Sequence, residues 1–155
     1  MGVSDEQANI ASYSNSPESR TLLSPAGYGN RHKPIVLIIG STGTVGRHLA
    51  SQLRRQADAI HVRDASRHAD QVQQWRKTGR DAVYIDLDQP STFPVALVNV
   101  DRLFLLITYT VSMLTQKKTL VDAAKKAGVS HIVHLDISAE WDSTVPHYTW
   151  HQLIE

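Results

Sequence analysis

The chain has 155 residues, enough for one domain, and its 41% hydrophobic content can supply a packed core, which excludes wholesale disorder. Sixteen Lys and Arg against fifteen Asp and Glu leave a net charge of +1, so no general attraction to nucleic acid or to an anionic membrane is expected. The absence of cysteine excludes disulfides, thiolate metal sites and a cysteine nucleophile, and it fits the reducing cytoplasm, where we expect the protein.

The first 33 residues differ in composition from the rest of the chain. They are rich in Ser, Asn, Pro and Gly and show no sustained hydrophobic period, which predicts a flexible polar extension. They also lack the basic start and the apolar stretch of a secretory signal. We therefore divide the chain into an extension, residues 1–33, and a folded domain, residues 34–155.

From Pro34 onward, predicted strands and helices alternate. Residues 34–39 form a continuous apolar run rich in β-branched residues, which predicts a strand buried on both faces, as in a parallel sheet. Val45, Leu49 and Leu53 then recur at a spacing of four, which predicts an amphipathic helix. The later predicted strands are residues 59–62, 82–85, 102–107 and 131–135, and the later predicted helices are residues 67–78, 91–98, 112–127 and one beginning near Pro146. This order favours a doubly wound parallel α/β sheet of about five strands.

The most informative segment is the glycine-spaced turn between the first strand and the first helix, Gly40-Ser-Thr-Gly43-Thr-Val-Gly46. Gly40 allows a sharp turn out of the strand, Gly43 lets the backbone approach a pyrophosphate, and Gly46 permits close packing of the helix on the sheet. The backbone N–H groups around Thr44 and Val45 would face the phosphates at the positive end of the helix. The segment predicts a dinucleotide site, with a glycine-rich turn that binds nothing as the alternative.

The residues after the second predicted strand indicate which dinucleotide is bound. An Asp or Glu at this strand end holds the ribose 2′-hydroxyl of NAD, whereas an Arg accommodates the 2′-phosphate of NADP. Here Val62 is followed by Arg63 and Asp64, with Arg67 nearby. We therefore expect NADP, contacted by Arg63. NAD stays open as the alternative, because a shift of the strand boundary by one residue would place Asp64 at that point.

Several segments in series resemble the NmrA-like group of atypical short-chain dehydrogenase/reductases. They are IIGSTGTVGRHLASQL (38–53), VRD (62–64), IDLDQP (85–90), VDRLFLLIT (100–108) and AAKKAGVSHIVHLDIS (123–138), followed by His151-Gln-Leu-Ile-Glu155, which is similar to the family's His-x-x-x-Glu pattern. The resemblance covers about residues 35–155 and implies a Rossmann domain that binds NAD(P). It also implies that the chain is truncated, since the family's later segments complete the sheet and build the substrate pocket.

The resemblance also implies roles for individual residues. It places the pyrophosphate at the glycine turn, around Gly40, Thr42, Gly43, Thr44, Val45 and Gly46, and it places the adenosine phosphate at Arg63. Asp86 and Leu87 match the pair that borders the adenine in the family. Ile107 and Thr108 would line the ribose on the nicotinamide side.

Two departures from the family pattern concern catalysis. Asp136 and Ile137 precede Ser138 where the family often has two serines. Tyr148 is followed four residues later by Gln152, and a neutral amide cannot lower the pKa of the tyrosine as the lysine of a Tyr-x-x-x-Lys pair does. Tyr148 stays the candidate proton donor, with a packing role as the alternative.

Two functions fit these observations. The first is an NADP-dependent oxidoreductase that transfers hydride to a small carbonyl, quinone or imine-like substrate. The second, favoured by the missing lysine, is a non-catalytic dinucleotide sensor that acts through a regulatory protein partner. We expect a homo-oligomer or that protein as partner, and neither nucleic acid nor a membrane. No metal site is predicted, because the helical spacing of His147, His151 and Glu155 comes without a HExxH motif or a cysteine.

Overall fold

The computed structural model describes residues 32–135. Most of the predicted N-terminal extension lies outside this range. So do the predicted helix near Pro146, the candidate proton donor Tyr148, residues 136–138, and the metal-spaced residues His147, His151 and Glu155.

Five parallel strands form one sheet in the order β3-β2-β1-β4-β5. The strands are β1 (Ile35–Ile39), β2 (His61–Ser66), β3 (Asp81–Tyr84), β4 (Arg102–Leu105) and β5 (His131–His134). The helices are α1 (Thr44–Arg54), α2 (Ala69–Lys77), α3 (Phe93–Ala96), which follows a 3₁₀ turn at Pro90–Thr92, and α4 (Met113–Lys126). The strand order runs outward in both directions from β1, so the prediction of a doubly wound parallel sheet is confirmed.

Apolar residues on both faces of β1 explain why the strand is buried on both sides. Val36 and Ile38 face one layer, where they pack with Ala50 of α1 and with Val62 of β2. Leu37 and Ile39 belong to the larger cluster on the other side, which includes residues of α3 and α4, namely Phe93, Ala96, Met113, Leu120 and Ala124. The sheet is therefore the middle of three layers, as alternating strands and helices require.

The boundary of β2 is the main correction to the predicted elements. Residues 59–62 were expected to form this strand, but it runs from His61 to Ser66 and includes Arg63 and Asp64. Asp64 is buried on the side of α1, where the Arg54 guanidinium pairs with its carboxylate. Such pairing lets a charged residue lie inside a sheet. As a consequence, the carboxyl end of β2 is Ser66 and the next residue is Arg67.

Smaller differences concern two helices. The helix expected over residues 91–98 is instead a 3₁₀ turn followed by the short α3, with Leu97 buried directly after it. Val45 was expected on the buried face of α1, but its side chain is 46% exposed, while Gly46 and Ala50 are buried. Leu49 and Leu53 do pack against the core as predicted, so only the first position of the predicted face is wrong. Within residues 32–135 no helix combines the length and the hydropathy that crossing a membrane requires.

Candidate functional site

A cavity of about 280 Å³ lies at the carboxyl ends of four neighbouring strands, β1 to β4. Its lining includes residues that follow each of these strands: Gly40 and Thr42 after β1, Arg67 and His68 after β2, Asp86 and Leu87 after β3, and Ile107 and Thr108 after β4. Ligands bind outside the carboxyl ends of the strands in open α/β sheets, where the strand order reverses. The cavity therefore lies where this fold binds its ligands.

The glycine turn forms the cavity wall that follows β1. The backbone geometry of this turn depends on the absence of side chains. Gly40 has a φ of +88°, a left-handed conformation, and a Cβ there would lie 2.8 Å from the carbonyl oxygen of Leu106. A Cβ on Gly46 would overlap the carbonyl group of Gly40. These two glycines let α1 begin directly against the turn, as close packing of helix and sheet requires.

The amino end of α1 presents backbone N–H groups without a capping side chain. Its N-cap is Gly43, in an extended conformation with φ −77° and ψ 169°, and glycine has no side chain that could accept from the first turn. Thr44 and Val45, the first two helical residues, are exposed. The first N–H groups of a helix have no partner inside it and carry the positive end of the helix dipole. This end of α1 is thus suited to an anionic group.

Ser41 fixes the turn relative to the neighbouring strand. Its hydroxyl group is buried, donates to the carbonyl oxygen of Ala65 at 2.8 Å and accepts from the N–H of Ala65 at 3.2 Å. The turn after β1 and the last residues of β2 therefore move together. Thr42 next to it is exposed and lines the cavity.

The structure separates two arginines that the sequence left close together. Arg67 directly follows β2, is exposed and lines the cavity together with Ser66 and His68. Arg63 lies three residues before the end of the strand, about 10 Å away at roughly 3.3 Å per residue, and does not line the cavity. The placement of Arg63 at the strand end is therefore corrected, because the strand continues past it.

Arg63 has other partners in the fold. Its Nε donates to both carboxylate oxygens of Asp81, at 3.2 and 3.0 Å, and its Nη1 donates to the carbonyl oxygen of Val98 at 2.7 Å. The side chain thus connects β2 to the first residue of β3 and to the turn after α3. These contacts are typical of an arginine with a structural role, in which one guanidinium joins several segments of the chain.

Asp86 presents a carboxylate whose orientation is set by its own turn. Oδ1 accepts from the N–H of Asp88 at 3.0 Å, and Oδ2 accepts from the amide of Gln89 at 2.9 Å. The N–H of Asp86 donates to the hydroxyl oxygen of Thr92 at 3.1 Å. Asp86 and Leu87 line the cavity as expected, in the turn that follows β3.

The loop after β4 forms the opposite wall of the cavity. Ile107 is buried, and Thr108 and Thr110 are exposed; all three line the cavity. The hydroxyl of Thr110 donates to Oε1 of Gln116 at 3.2 Å, and Nε2 of Gln116 donates to Oδ1 of Asp88 at 2.6 Å. Gln116, in α4, is a lining residue that the sequence did not indicate, since a glutamine within a helix is usually solvated.

Two buried ionisable side chains lie outside the cavity lining. Burial lowers the pKa of the Lys117 ammonium to about 8, and its Nζ lies 2.5 Å from Nε2 of His134. Burial raises the pKa of the Asp64 carboxyl above its usual value, an effect opposed by the guanidinium of Arg54. Residues 32–135 contain no group of three or more His, Asp or Glu side chains arranged to hold a metal ion.

The cavity brings together most of the residues predicted for cofactor binding. Six of them line the cavity: Gly40, Thr42, Asp86, Leu87, Ile107 and Thr108. Gly43, Thr44, Val45 and Gly46 continue the same turn into α1. Arg63 is the predicted residue that lies elsewhere, and Arg67 takes the position after the strand that Arg63 was expected to occupy.

Comparison with known proteins gives a family and several relatives. The NmrA-like family matches residues 32–153. The NAD(P)H azoreductase of Xenophilus azovorans is 31% identical over 117 residues, which are 75% of this chain and 40% of the azoreductase.

Solved structures show the same fold at lower identity. The triphenylmethane reductase of Citrobacter sp., complexed with NADP(H), matches with a TM-score of 0.67 and 21% identity over 78% of this chain and 43% of that chain. The NADPH-dependent quinone oxidoreductase of Escherichia coli, complexed with NADPH, matches with a TM-score of 0.64 and 23% identity over 76% and 42%. The chain spans about two fifths of the length of these relatives.

Proposed function

The chain belongs to the NmrA-like family, and from that premise we propose that it binds NADP(H) at the carboxyl end of its sheet and supplies the cofactor-binding part of a reductase. The observation that carries the proposal is the cavity lined together by the glycine turn that leads into α1, an arginine after β2 and a carboxylate after β3. These are the groups that the pyrophosphate, the 2′-phosphate and the adenine of one molecule would need.

The glycine turn fits a pyrophosphate on steric and electrostatic grounds. Gly43 offers backbone without a side chain, so phosphate oxygens can approach the N–H groups of Thr44 and Val45. A Cβ on Gly46 would overlap the carbonyl group of Gly40, so α1 is packed closely against the turn, which supports this placement of the phosphates. The turn would hold the phosphates by backbone donors alone.

Arg67 distinguishes NADP from NAD in this proposal. It follows β2 directly and lines the cavity, which is the position from which a guanidinium can accommodate a 2′-phosphate. NAD sites carry a carboxylate there, and β2 instead ends in Ser66. Asp64, the acid considered for an NAD site, is buried on the α1 side and paired with Arg54. The position of Arg67 therefore favours NADP.

The remaining lining residues would orient the two ends of the cofactor. Asp86 presents carboxylate oxygens after β3, suited to accept from the exocyclic amine of adenine, with Leu87 beside it. Ile107 and Thr108 would border the ribose on the nicotinamide side. A bound NADPH would supply a hydride for transfer, while the chain's own residues bind the cofactor, orient it and limit access of water.

The names of the relatives support a proposal for the substrate class. An azoreductase, a triphenylmethane reductase and a quinone oxidoreductase all reduce conjugated acceptors. We propose a two-electron acceptor of this kind, a quinone or an imine-like or azo compound, for the protein to which this sheet belongs. Tyr148 stays the proposed proton donor.

Binding and turnover should be measured separately on the full chain. Calorimetric titration with NADPH and NADH tests the site, and we expect NADPH to bind at least about 10-fold more tightly, the effect of a charge-assisted contact to the 2′-phosphate. Oxidation of NADPH in the presence of a panel of quinones, azo dyes and triphenylmethane dyes then tests the reductase function. Tight binding without turnover on any acceptor would instead support a dinucleotide sensor, and absence of binding would contradict the site itself.

A further inference from the structure

We propose that Gln116 is a positioning residue of the cofactor cavity, because it connects the loop after β4 to the turn after β3 and so fixes where Asp86 presents its carboxylate. The inference rests on the proposed function, since Asp86 is the proposed partner of the adenine. It adds a residue that acts through its neighbours.

The connection runs through both ends of one amide group. Gln116 lies in the first turn of α4, is 8% exposed and lines the cavity. Its Oε1 accepts from the hydroxyl of Thr110 at 3.2 Å, and its Nε2 donates to Oδ1 of Asp88 at 2.6 Å. Only a side chain with an acceptor and a donor on one planar group can make both contacts. Glutamate would lose the donor, and leucine would lose both groups.

The contact to Asp88 reaches Asp86 through the turn. The N–H of Asp88 donates to Oδ1 of Asp86 at 3.0 Å, so the two residues share one local conformation. Two carboxylates in one short turn also repel each other. The amide of Gln116 gives the carboxylate of Asp88 a fixed partner, and the turn can then hold Asp86 toward the cavity.

The packing of α4 indicates that this role is separable from folding. The helix is anchored by buried apolar residues, Met113, Leu120 and Ala124. Thr110 and Asp88 are exposed, so water can replace the amide at both if Gln116 is changed. Loss of the amide should therefore alter the position of the two loops more than the stability of the fold.

The experiment compares four variants of the full chain with a matched control. Gln116→Leu removes both contacts, Thr110→Val removes one, and Gln116→Glu turns a carboxylate toward Asp88. Adding Asp88→Asn to the Gln116→Glu variant restores a donor–acceptor pair with reversed polarity. Gln52→Leu makes the same substitution at an exposed position of α1. Each protein is titrated with NADPH and with adenosine 2′,5′-bisphosphate, which probes the adenosine half alone, and its unfolding temperature is measured without ligand.

We expect Gln116→Leu to lower the affinity for both ligands about 5-fold to 10-fold, which corresponds to the loss of about one hydrogen bond. Gln116→Glu should lower both affinities further. The added Asp88→Asn should return the affinity to within about 3-fold of the unaltered chain, and Gln52→Leu should leave it unchanged. If Gln116 only stabilises the fold, the loss of affinity should parallel the drop in unfolding temperature across the variants, and the double variant should not regain affinity. Either of those results, or unchanged affinity in Gln116→Leu, overturns the inference.

Failure of the proposed function gives a different pattern. If the unaltered chain binds neither ligand, the proposed site is wrong. Backbone hydrogen exchange of residues 86–92 in the ligand-free proteins still measures the connection: faster exchange in Gln116→Leu than in Gln52→Leu supports it, and equal exchange contradicts it.

Discussion

The two ends of the sheet differ in what surrounds their arginines, Arg63 toward the amino end and Arg67 at the carboxyl end. At the amino end polar groups bind one another: Asp81 accepts from Arg63 and lies 2.8 Å from Nε2 of His61, and Asp101 accepts from the N–H of Ile35 at 2.8 Å. At the carboxyl end the exposed side chain of Arg67 lines the cavity, and it is not among the side chains of residues 32–135 that form ion pairs. Polar groups that satisfy each other hold strands together, whereas those that face a shared space are available to a ligand.

The glycine turn offers the strongest test of the carboxyl end. Gly43→Val should weaken NADPH and NADH alike by about 100-fold or more, because its side chain would occupy the approach of the phosphates. The fold should survive, since φ at this position is −77° and the tight contact of a Cβ with the carbonyl oxygen of Gly40, at 3.3 Å, requires a shift of only a few tenths of an ångström. Calorimetry and circular dichroism of the same sample measure both effects.

Gly46→Ala is the control for that variant. Its Cβ would overlap the Gly40 carbonyl, so it should reduce stability strongly and not binding alone. Retained affinity in Gly43→Val would show that the phosphates bind elsewhere.

Lys117 allows a further test, because its ammonium group lies near the carboxyl end of β5 and does not line the cavity. Burial lowers its pKa from 10.5 to about 8, so in that pH window the unfolded chain binds a proton that the folded chain has released. Stability should therefore rise with pH across this window, by up to about 3 kcal/mol, and stay constant with respect to this group below it.

Chemical denaturation at a series of pH values would measure this rise, with Lys117→Met as the reference. The variant should lack the rise between pH 8 and 10.5 and should be the more stable protein at neutral pH. Parallel pH profiles for the two proteins would show that the amine is not held in its neutral form by the fold.

Arg63 tests the amino end. Arg63→Ala should lower the free energy of unfolding by about 1–2 kcal/mol, because it removes charge-assisted bonds to Asp81 and a bond to Val98. Urea denaturation measures the loss, and Arg55→Ala, at an exposed position of the turn after α1, is a matched control that should have little effect. A stability equal to that of the unaltered chain would mean that these bonds are replaced by water without cost.

The difference between the two arginines also shows what the sequence could and could not predict. The apolar run of β1 and the three glycines are local signals, so both the strand and the turn were placed correctly. The end of β2 was predicted too early in the chain, because charged residues such as Arg63 and Asp64 are typical of loops unless they have buried partners. Those partners, Asp81 and Arg54, come from a different strand and a helix. Burial of charge by pairing across elements has no local signature.

Gln116 is a second example of the same limit. Its residue type and its position in a helix do not indicate a place in the cavity, because its two partners belong to loops that come together only in the folded chain. By contrast, the resemblance to the family indicated Asp86 and Thr108 as site residues. Each directly follows a predicted strand, in agreement with the rule for ligands at the carboxyl ends of parallel strands.

We propose that Arg67, and not Arg63, recognises the 2′-phosphate of NADP. Titration of Arg67→Ala and Arg63→Ala with NADPH and NADH tests it directly. We predict that Arg67→Ala weakens NADPH at least about 10-fold and leaves NADH nearly unchanged, while Arg63→Ala changes neither affinity. A selective loss of NADPH in Arg63→Ala, or equal affinities of Arg67→Ala and the unaltered chain for NADPH, would contradict the claim.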